Sequence, residues 1–161
     1  MVLTASAGPE NSMRLLALSA SFAILMSASA FAGPASDAVE YFYLPPTFEP
    51  DPGNRDRFTD PAKGIFEQND KLNDGGEQIG CIDFVLAIDA QDLDEAEIAR
   101  TLELTENVSG DTADVVAKFR LFPGQDESRR EIHWSLRNID GKWLIADIAS
   151  PANNWRLSDF D

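Results

Sequence analysis

The chain reads as an α+β domain in which N-terminal helices pack on one face of a curved antiparallel sheet of about four strands. Three observations predict this. Ala62, Ile65, Phe66, Asn69 and Leu72 recur at three- and four-residue spacing, the stripe of a helix with one buried face. From Thr101 onward the apolar period drops to two, the signature of half-buried strands. Short turn sequences, Ser109-Gly110-Asp111 and Asn138-Ile139-Asp140-Gly141, separate the alternating runs and read as hairpins.

Residues 1–32 are expected to lie outside that domain. Met13 to Ala32 has the order of a cleaved export signal: Arg14 as the positive start, an apolar run from Leu15 to Met26, and Ala30-Phe31-Ala32 as the small-x-small cut site before Gly33. The apolar run would span roughly 18 Å of a hydrocarbon core about 30 Å thick, which argues against a membrane anchor. Met1 to Ser12 holds Glu10 and no basic residue, so Met13 is expected to be the true start, with residues 33–161 as one domain in the periplasm or outside the cell.

Element by element, Ser36 is the expected N-cap of a first helix through Asp37–Leu44, stopped by Pro45-Pro46. Pro45 to Arg57 reads as a wandering loop. Asp60 and Pro61 open the second helix, and Asn73-Asp74-Gly75-Gly76 closes it. Ile79 to Ile88 is an apolar run broken by Asp83, either a buried strand or an extended loop. Asp92 to Arg100 forms two helical turns capped by Asp92, or else leads straight into a strand. Leu102 and Leu104 then alternate with polar residues. Ala113, Val115, Ala117, Phe119 and Leu121 share one face of the next strand, and Ile132, Trp134 and Leu136 one face of the strand after it. In the last strand Trp143, Ile145 and Asp147 should share a face, with Leu144, Ala146 and Ile148 on the other. Trp155, Arg156, Leu157 and Phe160 should either fold back over an open end of the domain or form a contact surface for a partner.

Composition narrows the function. The chain has 13 Lys and Arg against 28 Asp and Glu, a net charge of −15. Removing residues 1–32 takes one base, Arg14, and one acid, Glu10, so the balance persists. Such a surface disfavours nucleic acid and anionic membrane and steers cationic partners. Cys81 is the single cysteine, which forbids an internal disulfide, and its apolar neighbours point to a buried, inert thiol. His133, the single histidine, sits on the polar face of its strand, so a multi-histidine metal site is excluded. An echo of a calcium loop over Asp70–Cys81 fails, because Leu72 and Cys81 occupy ligand positions. No nucleophile elbow, phosphate loop or zinc-protease motif is present, and no metal or cofactor is expected.

Ile82-Asp83-Phe84, Asp89-Ala90-Gln91-Asp92, Asp111-Thr112-Ala113-Asp114-Val115-Val116, Trp134-Ser135-Leu136 and Gly141-Lys142-Trp143-Leu144-Ile145-Ala146-Asp147-Ile148 together resemble a family of exported bacterial proteins that share a domain of unknown function. That family is assigned to the cystatin-like, nuclear-transport-factor-two-like α+β cone, and the resemblance covers roughly Asp37 to Phe160. It implies a fold and an exported setting, with no reaction to inherit.

Two functions from different classes follow. The first is a non-enzymatic periplasmic binding or interaction protein that holds a small apolar ligand or a cationic protein, with Asp83, Gln91, Asp92, Trp143 and Asp147 as ligand-binding candidates. The second rests on the enzymes of that cone, ketosteroid isomerases and polyketide cyclases: a small lyase or isomerase with Asp83, Asp92 or Asp147 as its base. The same residues also have structural readings. Asp83, Gln91 and Asp92 suit loop fixation, and Asp147 suits backbone capping or pairing with an arginine. A homodimer through the exposed sheet face is the remaining expectation for partners.

Overall fold

The period-two stretch folds into antiparallel strands. In the computed structural model, which describes residues 33–74, 82 and 84–160, these are β1 (Glu103–Ser109), β2 (Thr112–Arg120), β3 (Arg129–Ile139), β4 (Lys142–Ser150) and a two-residue β5 (Trp155–Arg156). They hydrogen-bond in sequence order, each pair antiparallel, so the meander has a fifth, short strand beyond the four expected. The turns follow the hand of the strands. Gly110 has φ 61° at the first central position of the β1–β2 hairpin, and Asp140 and Gly141 have φ 53° and 83° in the β3–β4 hairpin. Residues 1–32, expected to carry an export signal, and Cys81 and Asp83 lie outside the described residues.

Alternation places Ala113, Val115, Ala117 and Phe119 of β2 and Ile132, Trp134 and Leu136 of β3 in the core, as expected. β4 departs from strict alternation. Ser135 pairs with Asp147 but Leu136 pairs with Ile145, so Ala146 is an extra residue in a β-bulge. Ile145 and Ile148, three apart, therefore both enter the core, while Asp147 leaves the face that Trp143 and Ile145 share. A single inserted residue reverses a period-two reading downstream of it.

Three helices accompany the sheet: α1 (Pro34–Glu40), α2 (Ala62–Asp74) and α3 (Glu95–Thr101). α1 begins after Gly33 rather than at Ser36, because Pro34 suits the first turn and the Glu106 carboxylate on β1 accepts the Ser36 N–H at 2.8 Å. It ends at Glu40 rather than Leu44. Phe42 and Tyr43, consecutive and both fully buried, cannot share one helix face, and the chain turns through Phe42 N–H to Val39 O and Tyr43 N–H to Glu40 O. α2 buries Ala62, Ile65, Phe66 and Asn69 of the expected stripe, with Leu72 only half-buried, and Asn69 Oδ1 accepts the Ile82 N–H at 3.1 Å.

The cap of α3 is Asp94, not Asp92: its Oδ1 accepts the Glu97 N–H at 2.9 Å. Acid-x-x-Glu fits both positions. Position in the fold decides, since the Asp94 N–H bonds Leu121 O and Glu97 and Ile98 are the buried residues of the helix. Thr101 closes this helix rather than opening a strand; its hydroxyl donates to Glu97 O and accepts from the Arg120 N–H.

Candidate interaction surface

Outside the sheet, acids do the fastening. Glu49, in the Pro-rich loop, is fully buried, and its two oxygens accept the Leu86 and Ala87 N–H groups at 3.0 and 2.6 Å. Burial pushes its carboxyl up to about 7, outweighing the backbone donors that pull the other way. Residues 85–90 form a tight excursion closed by the Val85–Ala90 bridge, with Asp89 at φ 52°. Asp89 ties that excursion to the C-terminal tail. Its Oδ1 accepts from Trp155 Nε1 at 2.8 Å, and its Oδ2 from Ser150 Oγ at 2.6 Å and Asn153 Nδ2 at 2.5 Å.

Asp147 is fastened in the same manner. It accepts from the Ile148 and Ser158 N–H groups, from Ser158 Oγ, and from the Arg156 guanidinium at 2.6 Å. Both of its oxygens are thereby engaged. Trp143 is half-buried and packs against the core, whereas Gln91 and Asp92 stand exposed just before α3. Of the sequence candidates, the structure brings Gln91 and Asp92 together in one exposed stretch and sets Trp143 and Asp147 on opposite faces of β4. Sequence reasoning missed Glu49 and passed over Asp89 within its own motif. The one available signal was a lone acid, Glu49, between Phe48 and Pro50.

The helix-covered side of the sheet is filled. Trp134 stacks on Phe42 at 5.5 Å between ring centroids, its Nε1 donates to the Tyr43 hydroxyl at 3.1 Å, and Tyr43 meets Phe119 edge-on at 5.3 Å. Phe58 and Phe66 extend the layer, at 4.9 Å from each other. Burial holds the Tyr43 hydroxyl well above its ordinary pKa, so it stays neutral. The tail closes one end as expected: Leu157 is fully buried and Trp155 lies between Phe84 and Phe160.

Two surface features stand out. The first is an apolar lip. Among the described residues, five large apolar side chains are more than a third exposed, and three of them, Tyr41 (38%), Leu44 (43%) and Phe48 (42%), fall within residues 41–48. The lip is fixed from behind by Thr47 N–H to Phe42 O, Asn54 Nδ2 to Phe48 O, Tyr41 Oη to Asn54 Oδ1, and the Arg57 guanidinium 3.3 Å from the Tyr41 ring centroid. Between Leu44-Pro45-Pro46 and Glu95, Ala96 and Ala99 of α3 runs a groove of about 460 Å³.

The second feature is a cleft of about 510 Å³ where the ends of β1, β2, β3 and α3 meet. It gathers Arg100, Lys118, Arg120, Arg129 and Arg130. Four of these charges are spent on carboxylates: Arg100 and Arg120 share the buried Glu97 at 2.6 and 3.0 Å, Lys118 pairs with Glu131 and Arg129 with Asp126, while Arg130 donates to the Glu127 and Arg129 carbonyls. His133 bonds the same Glu131 at 2.7 Å, and that bond leads the causes that hold the Glu131 carboxyl below its usual range. The cleft thus reads as a fastening of α3 to the sheet.

No family model matches the chain, and no curated protein does. The sequence resemblance to an exported family accordingly has no family model behind it. In structure the chain is similar to a chain of the type VI native effector–immunity complex Tae3–Tai3 from Ralstonia pickettii. The TM-score is 0.51 at 17% identity, over 78% of this chain and 100% of that one. At that identity the likeness concerns the α+β fold. Among the described residues no helix is long and apolar enough to cross a membrane.

Proposed function

We propose that this chain is an exported, non-enzymatic interaction protein of the immunity kind, which binds a cationic partner protein through its surface. The carrying observation is the filled interior. Trp134, Tyr43, Phe42 and Phe66 occupy the space between helices and sheet where a cone-shaped enzyme or carrier would seat a small molecule, and all four are buried. Of the two occupants expected from sequence, packing therefore favours the protein over the small apolar ligand. A protein partner asks only for a prepared outer surface, and the −15 charge steers a basic one toward it. The likeness to a chain of an effector–immunity complex supports the same reading.

Of the three carboxylates of the isomerase reading, Asp147 is committed to Arg156 and Ser158 and Asp92 is exposed, while Asp83 lies outside the described residues. The test mixes the purified full chain with a panel of type VI effectors, Tae3 of Ralstonia pickettii among them, and measures complexes by size exclusion and calorimetry. A one-to-one complex with one member, Kd below about 1 μM, is expected. A panel without a single complex, together with a small molecule retained in native mass spectrometry, would contradict it.

A further inference from the structure

We infer that the groove between Leu44-Pro45-Pro46 and α3 is the seat for an apolar side chain of that partner, carried on a segment with Lys or Arg on either side of it. The inference rests on the interaction reading above and adds where the partner sits and what it inserts.

The shape argument comes first. Leu44, Pro45, Pro46, Ala96 and Ala99 give the groove apolar walls, and Ala96 and Ala99, three apart on α3, are both exposed. Small residues on a helix leave room for a side chain from outside, while Leu44 offers a protruding edge to pack against it. The wall opposite α3 is set in advance: Tyr43 is locked under it by Trp134, Thr47 Oγ1 donates to Pro45 O at 3.0 Å, and Pro45 and Pro46 have little conformational freedom left to lose. A surface ordered before contact spares a complex much of its entropic cost.

Charge then selects the occupant. Glu95 lines the groove, Asp94 precedes it at the helix cap, Asp92 and Gln91 stand exposed just before that cap in the chain, and Glu40, the residue before Tyr41 of the lip, is exposed. Among the described residues no lysine or arginine lines the groove, and Arg100, next to Ala99, is turned onto Glu97 by three hydrogen bonds. A second copy of this chain would bring another −15 against the same acidic rim, so self-association here is opposed. A basic segment meets that rim with opposite charge.

The experiment places the photo-crosslinker benzoylphenylalanine at Leu44 or Ala99 in the groove, and at Val108 in the β1–β2 hairpin as a control. The full chain is produced in the cell that encodes it, and the cross-linked peptides are sequenced by mass spectrometry. Leu44 and Ala99 are expected to yield the same product, a basic protein joined through a segment in which an apolar residue is flanked by Lys or Arg, and Val108 to yield none. A joined acidic segment, a second copy of this chain, or a product from Val108 alone overturns the groove while leaving the interaction reading intact. Absence of any product at all three positions overturns both. With the partner in hand, Ala99→Arg is expected to weaken the purified complex at least about tenfold at unchanged melting temperature, and Val108→Arg to leave it within about twofold. Equal effects of the two substitutions would also sink the assignment.

Discussion

Between Glu103 and Ser150 the chain is held by a ladder of neighbouring strands and an apolar face; between Tyr41 and Asp60, and again from Phe84 to Asp94, it has almost no ladder, and carboxylates reaching across the fold fasten its backbone beside the buried Phe42, Tyr43, Phe58, Leu86 and Ile88. In the sheet every partner lies a hairpin away, and a lost side chain leaves a void. In the loop half a lost side chain leaves backbone N–H groups without acceptors, a different penalty with a different pH dependence. The difference bears on function. The sheet supplies rigidity, and the acid-fastened loops hold the exposed lip in a fixed shape on a chain whose net charge already favours basic partners.

The sharpest break on the sheet side is Trp134→Ala. It removes the stack on Phe42 and the hydrogen bond to Tyr43, leaving a buried hydroxyl without its donor. Urea unfolding is expected to show a loss of about 3–5 kcal/mol. On the loop side Glu49→Ala leaves the Leu86 and Ala87 N–H groups unsatisfied at a cost of about 2–3 kcal/mol, and their amide exchange should accelerate ahead of that of β2 and β3. A uniform acceleration over the whole sheet would mean that the two halves are not separable in this way.

Glu49 also supplies a pH signature that Trp134 lacks. Its folded-state value, about 7, lies above the ordinary 4.5, so the native state holds this proton more tightly than the unfolded chain. The stabilisation from that proton is fully present below about pH 4.5 and is lost as pH rises through 7. Wild type is therefore expected to lose stability between pH 5 and pH 8 through this group, and Glu49→Gln, which cannot ionise, to remove that part of the profile. A Glu49→Gln profile parallel to wild type would show the proton to be irrelevant.

The smallest effect is expected for Asp89→Asn. Asparagine tolerates the φ of 52°, so the backbone is spared and only the bonds to Ser150, Asn153 and Trp155 are altered. About 1 kcal/mol and a shift in Trp155 fluorescence are expected. A loss as large as that of Glu49→Ala would make the tail, rather than the Pro-rich loop, the main fastening of residues 84–90.

The same contrast explains what could be read from the residues alone. β2, β3, both hairpins and the stripe of α2 were legible because period and turn chemistry are local. The bulge at Ala146 was not, since one extra residue leaves no mark in an apolar run, and it moved Asp147 off the expected face. The choice of Asp94 over Asp92 as cap depended on contacts with Leu121 and the core. Glu49 pairs with residues 37 and 38 positions away, and Asp89 with residues 61 to 66 away, separations that no spacing rule encodes. An acid in a Pro-rich loop reads as solvated until the fold closes over it. For the surface, Leu44, Ala96 and Ala99 came into view only when α3 packed beside the lip.

The most direct test of this account is amide hydrogen exchange on the full chain, alone and with the basic protein that cross-links from Leu44. Added protection over residues 41–48 and 95–101, with 112–120 and 131–139 unchanged, is the predicted result. Protection confined to 112–120 and 131–139, the strands whose outer face carries Lys118, Glu131 and His133, would contradict it.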